Sequence, residues 1–238
     1  MLFAYFKRHQ LTKVKHKPAG QIPLLCHFLP DLDNDPGEIE QSLRFLRGLH
    51  KMGWHSVVAT PFVMQGYYFP NPESIVRKTK HLEQLLRQEK IQMNLEPAAE
   101  YYWDAGLFNT LASGQNLLSF TSDDPSKKFV LIETSLVYRP ENFALVMNSL
   151  KQQGYSVVLS HTEQYIFLQQ MPERVLILRE AGVCFQVNLR SLTSEATPAT
   201  RRLAEWLVQQ GMVDFWAAPP RIELIQNAMQ SPLFSAQP

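Results

Sequence analysis

Three side chains that could do chemistry together lie far apart in the chain: His27, Glu100 and His161. The most informative stretch is residues 154–165, GYSVVLSHTEQY, where a β-branched run ends in a small residue and then His161, with Glu163 just beyond. A buried parallel strand delivers a side chain to its C-terminal end in this way, and α/β folds place their chemistry there. Two imidazoles and a carboxylate form one of the sets that bind a divalent metal, which then supplies a hydroxide nucleophile. The same trio also suits a structural network in which Glu100 pairs with a histidine. The spacing is long and irregular, and both readings stand.

Holding such a trio requires several parallel strands ending at one mouth. Apolar, β-branched runs occur at 22–27, 54–60, 91–95, 129–133, the stretch ending at His161, 183–187 and 212–217. Helical periodicity fills the intervals, at 36–53, 73–89, 104–113, 141–153, 172–181 and 197–210, with a long aromatic loop at 61–72 and a polar connection at 119–128. Strands alternating with helices in this number predict a parallel barrel, with an open doubly wound sheet as the competing arrangement. No glycine-rich phosphate loop follows any strand, which removes the dinucleotide and Walker-type readings. In a barrel, His27, Thr60, Glu100, Glu133, His161, Asn188 and Ala218 share one mouth.

The chain has 238 residues, 45% of them hydrophobic, enough for one large domain over residues 21–238 behind a tail at 1–20. With 23 basic and 22 acidic residues the net charge is +1, so no global field recruits nucleic acid or an anionic membrane. The tail is locally basic, with Lys7, Arg8, Lys13, Lys15 and Lys17 following the apolar Leu2, Phe3, Tyr5 and Phe6. That order is the reverse of a signal peptide, and it suits a solvated tail or a peripheral membrane contact. Cys26 and Cys184 lie in apolar strand contexts without metal-type spacing, as expected of buried thiols in a cytoplasmic protein.

Laid out on these strand ends, the chain resembles the polymerase and histidinol phosphatase (PHP) superfamily. More narrowly it is similar to the bacterial manganese-dependent tyrosine-protein phosphatases of capsule and exopolysaccharide loci. The resemblance runs from about Leu24 to Ala228. It rests on Cys26-His27-Phe28-Leu29-Pro30 with Asp33, Ala59-Thr60-Pro61, Ala98-Ala99-Glu100-Tyr101-Tyr102, and His161-Thr162-Glu163-Gln164-Tyr165. Phe185-Gln186-Val187-Asn188-Leu189 with Ser191-Leu192, and Asp214-Phe215, complete it. The resemblance implies a distorted (β/α)7 barrel of PHP type in a single domain.

The family's metal chemistry is only partly kept. Its opening Asp-x-His-x-His survives as His27 alone, with Pro23 and Leu25 at the other two ligand positions. Phe62 stands where the family places a histidine after Ala59-Thr60-Pro61. Gln164 replaces the arginine of its His-Pro-Glu-Arg motif, and Ala218-Pro219-Pro220-Arg221 replaces its Ser-Asp-x-His. The family pattern implies three divalent ions that activate a hydroxide and clamp phosphate. Here the resemblance leaves His27, Glu100 and His161, with Asp33 as a helper, for at most one manganese or zinc ion. Leu25, Phe62 and Pro219 cannot ligate metal, and Arg221 would repel it.

These replacements lead to the expectation of a degenerate relative, catalytically impaired, that binds a phosphotyrosine protein or a tyrosine kinase of the exopolysaccharide machinery. The alternative is an active phosphatase or phosphoesterase using one ion, with His161 and Glu100 as catalytic residues. Tyr67, Tyr68, Tyr101, Tyr102 and Trp103 either stack on a phosphotyrosine ring or pack the loops onto the barrel. Arg221 either replaces the lost metal charge, pairing with Glu100 or binding an anion, or points to solvent.

Overall fold

A computed structural model describes residues 23–32, 38–122, 124–138, 140, 142–231 and 234. The basic tail, Asp33 and the expected first helical residue Pro36 lie outside the described residues.

The strands are β1 (Leu24–Cys26), β2 (Ser56–Ala59), β3 (Phe62–Val63), β4 (Asn94–Pro97), β5 (Glu100–Tyr102), β6 (Lys128–Glu133), β7 (Tyr155–Leu159), β8 (Cys184–Asn188) and β9 (Phe215–Ala218). Every named pair is parallel, in the order β3-β5-β6-β7-β8-β9-β1-β2-β4. The two ends of that order are the same stretches of chain. β2 bends into β3 across Thr60 and Pro61, and β4 bends into β5 across Ala98 and Ala99. Between them Ala98 N donates to Ala59 O at 2.8 Å and Glu100 N to Pro61 O at 3.0 Å, so the β2–β4 ladder passes into the β3–β5 ladder. Nine strands with two such continuations make seven runs, and the sheet closes into a distorted (β/α)7 barrel of a single domain. The bend after Pro61 also corrects the expected loop at 61–72, which begins as a strand.

Eight helices flank the barrel among the described residues: α1 (Ile39–Lys51), α2 (Pro72–Gln88), α3 (Ala105–Ala112), α4 (Phe143–Gln152), α5 (Ile166–Gln170), α6 (Glu173–Glu180), α7 (Pro198–Gln209) and α8 (Ile222–Met229). Short polar side chains start several of them. Asn71 accepts from Glu73 N, Asp104 from Leu107 N and Thr197 from Thr200 N, with Pro72 and Pro198 pre-set for the first turn. At the other end a residue with positive φ recurs: Gly53, Lys90, Gly182 and Gly211. The next residue then bonds back into its helix, Trp54 N to Leu49 O, Ile91 N to Leu86 O, Val183 N to Leu178 O and Met212 N to Leu207 O. This left-handed stop explains why strands expected at 54, 91 and 212 begin a few residues later. Their first apolar residues finish the preceding helix.

Strand alternation sorts the core into two layers. Leu25, Val58, Ala98, Leu131 and Val158 fill the barrel interior above a floor of Phe120, Phe129 and Phe215. Leu24, Cys26, Val57, Ala59, Val157 and Val187 face outward onto Leu46, Leu82, Leu86 and Leu207 of the helices. Ala218 belongs to this outer layer, which corrects its expected place at the mouth; alternation turns Ala217 inward instead. Among the described residues no helix is long and apolar enough to cross a membrane.

Candidate functional site

One residue further along the inward face of several strands, the interior turns polar. His27 follows β1, Glu100 opens β5, Glu133 closes β6, Ser160 and His161 follow β7, and Gln186 lies within β8. Glu100 is fully buried and is the centre of the group. Its Oε2 lies 2.8 Å from His27 Nε2, and its Oε1 lies 3.8 Å from His161 Nε2 and accepts from the Ser160 hydroxyl. Ser160 Oγ is also 2.9 Å from Gln186 Oε1, which accepts from His161 N at 3.1 Å. The sequence trio is thus brought together. Ser160 and Gln186 received no role from sequence, although a glutamine inside an apolar strand marks a buried polar group that needs partners.

His161 reaches this position through an unusual backbone. Its φ of 45° and ψ of 44° are left-handed, which costs a residue with a Cβ about 1–2 kcal/mol. The turn lets the imidazole double back over Glu100 while Thr162–Gln164 begin a 3-10 turn. Among the described residues His161 Nδ1 is buried without a hydrogen-bond partner, and it is Nε2 that faces Glu100.

The electrostatics follow from burial and these neighbours. Burial alone would raise the Glu100 pKa, but the charge of His161, the bond and charge of His27 and the Ser160 hydroxyl together hold it below the ordinary glutamate value. Glu133 moves the other way: burial first, then the negative charge of Glu100, push it up to about 8. Burial also raises Glu163, against His161, Ser191 Oγ and Asn188 N. Glu163 Oε1 accepts from Ser191 Oγ at 2.6 Å and Asn188 N at 3.2 Å, while Oε2 has no partner among the described residues. It pins the turn after β8 beneath the mouth.

The remaining sequence candidates are placed elsewhere. Arg221 is 56% exposed and engages Glu195, which also lies 3.4 Å from Arg190 Nε. Its guanidinium is on the rim, apart from the partners of Glu100. Tyr101 faces the outer layer, accepting from Leu118 N at 2.7 Å, and Trp103 stacks on Phe143 with centroids 5.4 Å apart. Both pack loops onto the barrel, whereas Tyr67 is exposed.

These residues do not fit the family's metal cluster. Leu25 belongs to the apolar barrel layer, and the Phe62 ring packs against His27 at 4.7 Å between centroids. His27 Nε2 is within hydrogen-bond reach of Glu100 Oε2 at 2.8 Å, whereas His161 Nε2 lies 3.8 Å from Oε1, beyond that reach. Among the described residues no group of three or more histidine, cysteine or acidic side chains is arranged to hold a metal ion.

A closed parallel barrel with a histidine–glutamate cluster at its C-terminal mouth is the PHP-type fold that the sequence resemblance implies. Residues 21–220 match the family model described as Capsular polysaccharide synthesis, CpsB/CapC, and the chain belongs to that family. It is 25% identical over 197 residues to the tyrosine-protein phosphatase YwqE of Bacillus subtilis, covering 83% of this chain and 76% of the relative. It is 22% identical over 204 residues to the tyrosine-protein phosphatase CpsB of Streptococcus agalactiae, covering 83% and 81%. A solved structure from a study of YwqE and Streptococcus pneumoniae CpsB, described as metal-dependent tyrosine phosphatases, superposes with a TM-score of 0.74 at 23% identity, covering 90% of this chain and 89% of that one.

Proposed function

We propose that this chain is a catalytically impaired CpsB/CapC protein that binds a phosphotyrosine protein or tyrosine kinase of the exopolysaccharide machinery in the cytoplasm. The observation that carries this reading is the state of Glu100. Its oxygens are engaged by protein groups alone, Oε2 by His27 and Oε1 by the Ser160 hydroxyl, with His161 3.8 Å away, so the carboxylate has partners without an ion. The hydroxide generator and phosphate clamp of the family are both depleted. Arg221 and Arg190 share the single carboxylate of Glu195, leaving excess positive charge on the rim for an anionic group.

The test measures metal content and turnover of phosphotyrosine and nitrophenyl phosphate in added manganese, alongside binding of a phosphotyrosine peptide to metal-free protein. Negligible turnover with peptide binding weakened by Arg221→Ala is expected. Restoring Leu25→His, Phe62→His, Pro219→Asp and Arg221→His together should be needed for appreciable turnover. Manganese-stimulated turnover by the unmodified protein, abolished by His161→Ala, would overturn the reading. That outcome would favour a reduced one-ion site at His27, Glu100 and His161, a reading supported by the convergence of these three side chains.

A further inference from the structure

On the outer side of the barrel wall, away from Glu100, the loop after β3 and the N-terminal half of α3 enclose a second concave site. A cavity of about 130 Å³ opens beside a groove of about 480 Å³, and the two share Gln65, Phe69, Gly106, Thr110 and Gln115. Alternation along β5 separates this place from the mouth: Glu100 points into the barrel, whereas Tyr101 points outward and lines the cavity. Ile75, Leu107 and Val63 complete an apolar floor.

The walls are polar and carry a single charged side chain among the described residues. Gln65, Asn109, Gln115 and Asn116 turn toward solvent around the floor, and none of their carboxamides is hydrogen-bonded to another described residue. Among the described residues the one charged lining side chain is Asp104, and both of its oxygens are occupied, Oδ2 by Gln65 N at 2.7 Å and Oδ1 by Leu107 N at 3.0 Å. Gly106 keeps the wall close, since a Cβ there would stand 3.0 Å from Gln65 Cβ. Above the opening Phe69 is 68% exposed, an aromatic face left in water.

These features select a ligand chemistry. A phosphate or carboxylate group finds no counter-charge among these lining residues, and the one carboxylate, Asp104, is already committed to two backbone amides. Each carboxamide offers two donors and an acceptor at fixed spacing, which matches neighbouring hydroxyls that both donate and accept. An exposed aromatic face offers apolar area to a flat C–H surface. A neutral sugar ring presents both, hydroxyls around its edge and C–H bonds on its face. We infer that this groove binds a neutral oligosaccharide segment, one ring against Phe69 and its hydroxyls on Gln65, Asn109 and Gln115. The site works independently of any chemistry at the barrel mouth.

The experiment titrates the full, isotope-labelled chain with chitotriose, maltotriose and cellotriose, following the side-chain amide resonances of the four carboxamide residues. A uronate-containing oligosaccharide and an uncharged serine–glycine peptide are titrated in parallel. At least one neutral trisaccharide should shift these resonances saturably. Phe69→Ala and Asn109→Ala should each weaken that binding about tenfold while leaving the melting temperature unchanged, because both side chains are exposed. The idea fails if none of the three trisaccharides produces a saturable shift, or if the shifts persist at full affinity in both variants. Tighter binding of the uronate or the peptide would equally overturn it.

Discussion

The ring of Phe62 lies 4.7 Å from that of His27, tilted by 39°, at the edge of the Glu100 cluster. An apolar ring thus braces the histidine where the resemblance places a metal-binding imidazole. Because Phe62 and Glu100 both brace His27, chelation should not loosen it. The melting temperature of freshly purified protein should be the same with and without EDTA. A drop of many degrees on adding chelator would show that an ion supports the fold.

Glu133 sets a pH dependence whose sign is fixed. Its folded pKa of about 8 lies above the ordinary 4.5, so the folded state holds a proton the unfolded state has lost. That contribution is complete below about 4.5 and disappears as pH rises through about 8. Glu100, held below the ordinary value, acts oppositely and withdraws its contribution only in acid. Glu133→Gln should therefore gain stability relative to the parent between about pH 5 and about pH 9, read as a widening difference in melting temperature. A constant difference across that range would show that Glu133 is ionised throughout.

The left-handed backbone of His161 gives a comparison internal to one position. Gly and Ala both remove the imidazole, but only Gly relieves φ of 45°. His161→Gly should be more stable than His161→Ala by about 1 kcal/mol in urea unfolding. Equal stability would mean that the turn relaxes once the imidazole is gone.

The barrel floor should be the least tolerant place in the molecule. Phe120, Phe129 and Phe215 meet with centroids 5.1–5.6 Å apart. Phe215→Ala should cost about 3–5 kcal/mol and Phe215→Leu much less. A loss below about 1 kcal/mol for the alanine variant would mean that the floor collapses to fill the void.

Much of this arrangement is legible in the sequence. His27, Glu100 and His161 are readable as one site because each follows a short apolar run, and strand ends in a parallel barrel share a mouth. The bends at Thr60-Pro61 and Ala98-Ala99 are not, because local propensity cannot reveal that one strand changes neighbours midway. Ser160 escapes because a serine after a strand is common, and only the closed ring brings it onto Glu100. The pairing of Arg221 with Glu195 depends on two loops whose approach is set by tertiary packing. The carboxamide groove is invisible for a related reason: its walls come from separate loops, and neutral amides carry no spacing rule.

The closure of the ring has a consequence for how the chain is made. β1 lies between β2 and β9, with Leu24 paired to Trp216, so one of the first strands synthesised waits for the last. Until β9 emerges, β1 and β8 each present a bare row of amides and carbonyls, the kind of edge that templates association between chains. Such distant pairing is slow to form, and the exposed interval lengthens with it. Nascent chains arrested before residue 215 should be sticky and chaperone-dependent, whereas in the finished barrel β1 and β8 have partners on both sides and offer a neighbouring chain nothing to extend.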